Sequence, residues 1–276
     1  MRKIFAEKNE KLGKIVENAQ CDKRTYGIIR RQASGILEHL GIRHENAIQW
    51  LDSEIWNFRV SEKGLLSYEA DLHASLQNFG IYSKLNEKMS ERASMWFEKI
   101  APYLLQKPTL DFGGGSGEVA MLMQKHGCRA TIADAINWNK TQLPFMQIKD
   151  NVVSAKNNSF DQVVVLTVFH HSDDVSKTVS ESFRVAKKRL VFIESVTENQ
   201  LGYSYGAWID WFYNRVIHFS DDPAKKINVP CNFLPSDGWE NLVWKLTGLK
   251  AKISESLGIF QWLNPENHHL FAYEKE

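Results

Sequence analysis

The first hundred residues carry apolar positions at the three-and-four spacing of amphipathic helices. One such stripe covers residues 28–40 and ends at Gly41, a second covers 65–79 and ends at Gly80, and a third covers 85–104. Apolar residues at this spacing bury one face of a helix, and a glycine commonly ends it. The spacing therefore predicts four or five helices over residues 1–105 and almost no strand.

Strands and helices alternate from residue 108 onward. Short apolar or β-branched runs predict strands at 109–110, 129–133, 146–148, 161–167 and 190–194, and helical spacing predicts helices over 117–126 and 173–186. This alternation implies right-handed β-α-β units and a parallel sheet flanked by helices. The run at 161–167 is typical of a buried central strand.

The last third of the chain departs from this alternation. An aromatic-rich helix is predicted over 203–219, a helix over 237–247, and two strands at 250–256 and 269–273 that suit a hairpin at one sheet edge. We therefore expect an α/β fold with a Rossmann-like, mostly parallel seven-stranded sheet, helices on both faces and a terminal antiparallel hairpin. An all-helical cap would cover residues 1–105. The core would cover 106–276, with a helical insertion at about 200–236.

Composition adds mainly exclusions. The chain has 276 residues, 43% of them hydrophobic and 24% charged, with a formal net charge of +1. Such a balance offers no broad basic surface for nucleic acid. The longest apolar run, 163–169, is too short to cross a bilayer, and the start of the chain does not read as a signal peptide. Three isolated cysteines suggest neither disulfides nor a metal site. We expect a cytoplasmic protein that binds neither a metal nor a membrane. A homodimer is compatible with these features.

The glycine-rich stretch 109–120 is the most informative part of the chain. Asp111 stands at the end of the first predicted strand, and Gly113, Gly115 and Gly117 follow at alternate positions before a helix. Glycine permits positive φ and lets a ligand approach the bare backbone, and amides at a helix start suit a carboxylate or phosphate. A nucleotide-type site at the tip of the first strand is the consequence. A dinucleotide fingerprint would need a third glycine at Glu118, which makes a nicotinamide oxidoreductase the weaker alternative.

The acid followed by three alternate glycines resembles the first motif of class I S-adenosylmethionine-dependent methyltransferases. The stretch Asn-Asn-Ser-Phe-Asp at 157–161, followed by Phe-His-His-Ser-Asp-Asp at 169–174, is similar to that family's "NSFD…HHxDD" signature. Together these matches cover residues 108–200. The resemblance implies a Rossmann-like sheet with S-adenosylmethionine as cofactor.

The resemblance also implies roles for individual residues. Asp111 would organise the ammonium end of the cofactor, Asp134 would accept from both ribose hydroxyls, and Asp150 with Asn151 would contact the adenine amino group. The alternatives are a turn-stabilising carboxylate for Asp111 and a surface cap for Asp134. The implied cofactor-binding residues are Asp111, Gly113, Gly114, Gly115, Gly117, Asp134, Ala135, Asp150, Asn151 and Thr167.

Catalysis in such a site consists mainly of alignment, because the sulfonium already activates the methyl group. Bringing the acceptor atom in line at about 3 Å supplies much of the acceleration. A general base is needed only for an acceptor that is protonated at operating pH, and His170 or His171 would then serve. The alternative is that the histidine pair merely closes the loop and bonds backbone groups.

In the resembling methyltransferases the leading helices and the segment after the fifth strand close the acceptor pocket, so the resemblance implies that acceptor recognition belongs to residues outside the minimal core. Aromatic walls with a few polar tips suit a small, partly apolar ligand. The predicted acceptor contacts are Tyr82, Phe169, His170, Tyr203, Trp208, Trp211 and Arg215. The two tryptophans with Arg215 equally fit a helix face packed on a core.

The expected function is methyl transfer to an oxygen, nitrogen or carbon of a small, partly apolar or aromatic acceptor. A catalytically silent methyltransferase-like subunit that binds the cofactor or a partner is an alternative, and so is a protein methyltransferase. Nucleic-acid methylation fits poorly, because the charge is neutral and no Asn/Asp-Pro-Pro-Tyr/Phe stretch occurs.

Overall fold

The computed structural model describes residues 2–56, 59 and 63–275. These residues form two compact units. The first, here called the helical unit, comprises Met1–Met89, Thr197–Cys231 and Gln261–Glu266. The second, the sheet unit, comprises Ser90–Val196, Asn232–Phe260 and Asn267–Glu276. That residues 1–105 act as a cap over the core at 106–276 stays a prediction.

Helices account for the leading part of the chain, as its apolar spacing predicts. They are α1 (Arg2–Cys21), α2 (Lys23–His39), α3 (His44–Trp50), α4 (Leu65–Gln77) and α5 (Tyr82–Ile100). A π-helical segment, Leu51–Trp56, continues α3, and a 3-10 turn, Ala101–Tyr103, follows α5. The three predicted stripes coincide with α2, α4 and α5. No helix in the described ranges is both long and apolar enough to span a membrane.

The following elements alternate. They are β1 (Pro108–Phe112), α6 (Glu118–Lys125), β2 (Arg129–Asp134), β3 (Phe145–Lys149), β4 (Val152–Val153), β5 (Phe160–Leu166), α7 (Val175–Val185) and β6 (Ala186–Ser195). Next come α8 (Gln200–Trp211), which continues as a π-helical segment Phe212–Ile217, then α9 (Ser236–Thr247), β7 (Ile253–Gly258) and β8 (His268–Glu274).

The strands form one sheet in the order β4-β3-β2-β1-β5-β6-β8-β7. Strands β3, β2, β1, β5 and β6 are parallel, while β8 runs antiparallel between β6 and β7. The predicted α/β class, parallel core and antiparallel end are confirmed. The predicted strand number was low by one, because the two-residue β4 pairs antiparallel with β3.

Both faces of the sheet are covered by helices. Successive residues of a strand point to opposite faces, so Val163 and Val165 of β5 join one buried cluster and Val164 joins the other. Helices α7 and α9 pack in the first cluster, and α6 with the second half of α5 packs in the second. The carboxyl ends of the parallel strands meet at one edge, which is where ligands bind in open α/β sheets.

Candidate functional site

The loop after β1 is shaped by three glycines in left-handed conformations. Gly113, Gly115 and Gly117 have φ of +80°, +52° and +84°. The amides of Gly113 and Gly114 donate to the carbonyl of Ala133 at 2.6 and 3.3 Å, which ties the loop to the end of β2. Only glycine adopts such φ values without steric cost, so the alternate spacing of the motif follows from the loop's backbone.

The glycines also differ in what surrounds them. A methyl group added at Gly113 would lie 2.8 Å from Val168 Cγ1, and one at Gly117 would lie 2.6 Å from Ile132 Cδ1. At Gly114 it would meet the Asp111 carboxyl oxygen at 2.6 Å. At Gly115 the added methyl group would have no atom of the described residues within 4 Å. Of these four positions, only Gly115 leaves its backbone open to a ligand.

Asp111 lies in β1 directly beneath this loop. Its side chain is 2% exposed, and within the part of the chain that the structure describes its Oδ2 has no hydrogen-bond partner. Burial, together with the nearby charge of Asp134, raises the pKa of Asp111 from its ordinary 3.8 to about 7. A buried carboxylate without donors is costly. A cationic or donor group of a ligand would remove that cost.

Asp134 closes β2 and holds the open glycine from the side. Its Oδ2 accepts from the Gly115 amide at 2.9 Å and its Oδ1 from the Ile136 amide at 3.1 Å. Burial raises the pKa of Asp134, and the backbone amides of Ile136, Gly115 and Ala135 partly offset the rise. Carboxylate oxygens each accept more than one hydrogen bond, so the side chain retains capacity for ligand hydroxyls.

Asp150 and Asn151 form the two-residue turn between β3 and β4. Their φ values are +50° and +63°, the pair of positive values that a type I′ hairpin turn requires and that Asp and Asn tolerate. Asn151 Oδ1 accepts from the Ser172 hydroxyl at 3.3 Å. The turn alone explains these residue types. Their contact with adenine stays a prediction, as does the cofactor role of the exposed Ala135.

The turn after β5 is strained. Thr167 has φ of +54°, which for a β-branched residue costs about 1–3 kcal/mol, and its amide donates to the Ile193 carbonyl at 2.7 Å. The next residues form a 3-10 turn, Phe169–His171. Strain of this kind persists only where the surroundings impose it.

Phe169 points into the core rather than toward solvent. Its side chain is fully buried, with ring centroids 5.2 Å from Phe192 and 6.1 Å from Trp239. Its expected role as an acceptor contact stays a prediction. A single sequence does not distinguish a core aromatic residue from a pocket wall, because both are apolar.

His170 is buried beside a carboxylate that sequence reasoning missed. Its Nδ1 lies 2.6 Å from Glu194 Oε2, and the two side chains are 1% and 0% exposed. The ring of His170 stacks on Phe233 at 5.0 Å and tilts against His171 at 4.1 Å. Glu194 ends the apolar run at 190–194. An acid at the end of a predicted strand is the signal that could have identified it as a candidate site residue. The general-base role of His170 and His171 stays a prediction.

The remaining expected acceptor residues lie in the helical unit. Trp208 and Trp211 are fully buried there, and the Trp211 indole and the Arg215 guanidinium donate to the buried Glu69 at 3.0 and 2.9 Å. These contacts are typical of a packed helix face, and the acceptor role of the three residues stays a prediction. Tyr82 and Tyr203 are half-buried. Their hydroxyl groups lie 2.7 Å from His73 Nδ1 and 3.2 Å from the Cys231 carbonyl.

A family model described as a methyltransferase domain matches residues 85–250, more than half of the chain. The chain belongs to the class I methyltransferases. The match includes all ten predicted cofactor-binding residues as well as Glu194. Membership confirms the resemblance read from the glycine loop, and it implies S-adenosylmethionine as the methyl donor.

Three solved structures resemble this methyltransferase at low identity, with TM-scores below 0.5. A Thermotoga maritima S-adenosylmethionine-dependent methyltransferase, described as a possible histamine N-methyltransferase, is 15% identical with a TM-score of 0.49 over 70% of this chain and 97% of that chain. A Pyrococcus horikoshii protein is 14% identical, with a TM-score of 0.48 over 67% and 91%. An Aquifex aeolicus S-adenosylmethionine-dependent methyltransferase is 16% identical, with a TM-score of 0.44 over 64% and 88%.

No curated protein matches the sequence. The family assignment therefore depends on the match over residues 85–250, and it carries no information on the acceptor.

Proposed function

We propose that this methyltransferase is catalytically active and methylates an oxygen, nitrogen or carbon of a small, partly apolar or aromatic acceptor by in-line displacement. One observation carries the cofactor half of this proposal. Two carboxyl groups, Asp111 and Asp134, lie near the ends of adjacent strands around Gly115, the one of the four loop glycines at which an added methyl group would meet no described atom.

The chemistry of this donor set fits S-adenosylmethionine. The buried Asp111 oxygen, which has no hydrogen-bond partner in the described ranges, suits the cofactor's ammonium group because a cation relieves the cost of burying the charge. Asp134 would accept from the ribose hydroxyls, and the Asp150–Asn151 turn from the adenine amino group. Gly113, Gly114, Gly117, Ala135 and Thr167 would complete the site through the backbone around it.

When bound, the cofactor supplies a methyl group that its sulfonium already activates. The residues of this chain then bind, orient and exclude water, since alignment provides most of the acceleration. Where the acceptor loses a proton, the imidazoles of His170 and His171 are the proposed bases. Hydrogen bonding of His170 Nδ1 to Glu194 leaves Nε2 as the basic atom when the imidazole is neutral.

Acceptor recognition is proposed for Tyr82 and Tyr203. Each is a half-buried aromatic residue with a hydroxyl at its tip, the combination that orients a small ligand in an apolar surrounding. The acceptor class, small molecule rather than protein or nucleic acid, is part of the proposal. Tyr82→Phe is expected to raise the KM for the acceptor while the Kd for the cofactor stays unchanged.

Turnover is the direct test of this function. Purified protein is incubated with S-adenosylmethionine and a panel of hydroxyl, amine and activated-carbon acceptors, and S-adenosylhomocysteine is measured by mass spectrometry. We expect product with at least one small acceptor and none with Asp134→Ala at the same cofactor concentration. Tight cofactor binding without turnover on any small molecule would favour the silent subunit or the protein methyltransferase instead.

A further inference from the structure

Glu194 is a fully buried carboxylate of the sheet unit. It lies one residue from the end of β6, and three groups converge on it. Oε1 accepts from the backbone amides of Val168 and Phe169 at 2.9 and 2.7 Å, while Oε2 lies 2.6 Å from His170 Nδ1. A buried acid with this many donors is satisfied, and losing it would leave a buried amide and a partly buried one without this acceptor.

All three groups belong to the turn that follows β5. Strands β5 and β6 are parallel neighbours with Leu166 opposite Ile193, so Glu194 lies beside the point where the chain leaves β5. Its carboxylate spans three consecutive residues of the turn, directly after the left-handed Thr167. The Glu194 carboxylate therefore helps to hold the strained backbone at Thr167.

The same turn touches the glycine loop through one side chain. Val168 fills the volume that a side chain at Gly113 would occupy, since a methyl group added there would lie 2.8 Å from its Cγ1. Gly113 in turn donates to the Ala133 carbonyl at 2.6 Å. A continuous set of contacts thus runs from Glu194 through the amide of Val168 and its side chain to the loop that carries Gly115.

We propose that Glu194 is a positioning residue for the cofactor loop: it fixes the turn after β5 so that Val168 supports Gly113 and the loop keeps the form that receives the cofactor. This inference rests on the proposed function, because it deepens the account of the same site. His170 contributes as the third group held by the carboxylate. The role requires the shape and acceptor oxygens of the side chain and not its charge.

An isosteric variant separates shape from charge. In Glu194→Gln the amide oxygen accepts from both backbone amides, and the amide NH2 donates to His170 Nδ1 once the imidazole proton sits on Nε2. In Glu194→Leu the volume stays and every hydrogen bond is lost. Gln162→Leu is a matched control. Gln162 is fully buried near the amino end of β5 and makes four hydrogen bonds, to the Leu105 amide, the Leu105 carbonyl, the Thr109 hydroxyl and the Cys128 sulfur.

The measurement is the Kd of S-adenosylhomocysteine by calorimetry on folded full-length protein, with KM for the donor and kcat where an acceptor is known. We expect Glu194→Leu to weaken binding about tenfold, the usual size for a coupled residue outside a site. Glu194→Gln and Gln162→Leu should stay within about threefold of the parent. The kcat of Glu194→Gln reports on His170 instead, because the imidazole proton then sits on Nε2 and removes the basic atom of the proposed base; the recovery of Kd in this variant is the test of positioning.

A second variant keeps the test informative if Glu194→Leu fails to fold. Val168→Ala removes the contact with Gly113 without touching the carboxylate, and we expect it to weaken S-adenosylhomocysteine binding severalfold. Parent-like affinity in folded Glu194→Leu or in Val168→Ala would overturn the inference. So would equal losses in Glu194→Leu and Gln162→Leu, or in Glu194→Leu and Glu194→Gln. A parent protein that binds no S-adenosylhomocysteine would instead contradict the proposed function.

Discussion

At the scale of single residues, the site is built around an acid that the fold holds at a cost. Asp111 lies beneath Gly114 with a pKa raised to about 7 by its burial and by the charge of Asp134. A group whose pKa is higher in the folded than in the unfolded chain binds its proton more tightly when folded. Its contribution to stability is therefore present at low pH and is lost as the pH rises toward 7.

Asp111→Asn should expose this trade between stability and binding. The amide is neutral at every pH, so the variant should gain up to about 3–4 kcal/mol of unfolding free energy over the parent at pH 8 and almost none at pH 4. Its affinity for S-adenosylmethionine should fall at pH 8. Urea unfolding and calorimetry at both pH values measure the two effects. A variant less stable than the parent at pH 8 would contradict this account of Asp111.

The glycines of the loop predict a second contrast. Gly115→Ala and Gly117→Ala carry a similar backbone cost, about 1 kcal/mol each, because both residues have positive φ. Only the added methyl at Gly117 meets protein, 2.6 Å from Ile132 Cδ1 and 2.9 Å from Thr141 Cγ2. Gly117→Ala should therefore lose more stability, whereas Gly115→Ala should lose more cofactor affinity. Thermal unfolding and calorimetry on the pair decide, and the reverse order would remove Gly115 from the site.

At the scale of elements, the hydrophobic pattern predicted the helices and strands that are long enough to show a period. The stripe at 65–79 became α4 and the β-branched run at 161–167 became β5, because each buries faces that its own spacing defines. The two-residue β4 escaped, since two residues carry no period. The first residues of β6 escaped as well, because α7 ends at Val185 and the strand begins at Ala186 without a loop.

The candidate site residues also differ in whether a local motif marks them. Asp111 and Asp134 could be predicted as site residues because a motif places them at strand ends. Glu194 was missed, since its partners, the amides of Val168 and Phe169, lie about 25 residues away in the chain. The full burial of Phe169 could not be predicted either, because it depends on tertiary packing against Phe192 and Trp239. Contacts between distant segments leave no local signal in one sequence.

The β3–β4 turn gives a prediction at this scale. Asp150→Gly suits the positive φ of the turn, so unfolding free energy should change by less than about 1 kcal/mol. We expect the cofactor affinity of Asp150→Gly to fall severalfold, because the variant loses the carboxylate proposed to accept from the adenine amino group. Lys149→Ala, on the same hairpin, is the control. Unchanged affinity in Asp150→Gly would limit the pair to a turn role.

At the scale of the whole molecule, the chain passes repeatedly between its two compact units. Residues 197–231 and 261–266 return to the helical unit after the sheet has begun. There the Tyr205 hydroxyl donates to the Pro265 carbonyl at 2.7 Å, and the Asn264 amide donates to Glu266 at 2.9 Å. Sequence texture predicted a helical insertion near 200–236. The sequence did not predict that residues 261–266 belong to the helical unit, because composition can identify a loop but does not show which unit it packs in.

The central claim is that the glycine loop and its two acids bind a sulfonium nucleoside. Titration calorimetry of the purified protein with S-adenosylmethionine, S-adenosylhomocysteine and NADH tests it most directly. Asp134→Ala is the decisive variant, and Glu274→Ala, which removes an exposed acid paired with Arg189 at the other edge of the sheet, is its control. We expect the protein to bind both sulfur nucleosides but not NADH. Affinity for the sulfur nucleosides should fall at least tenfold in Asp134→Ala and stay unchanged in Glu274→Ala. Binding of NADH with no heat from either sulfur nucleoside would contradict this claim.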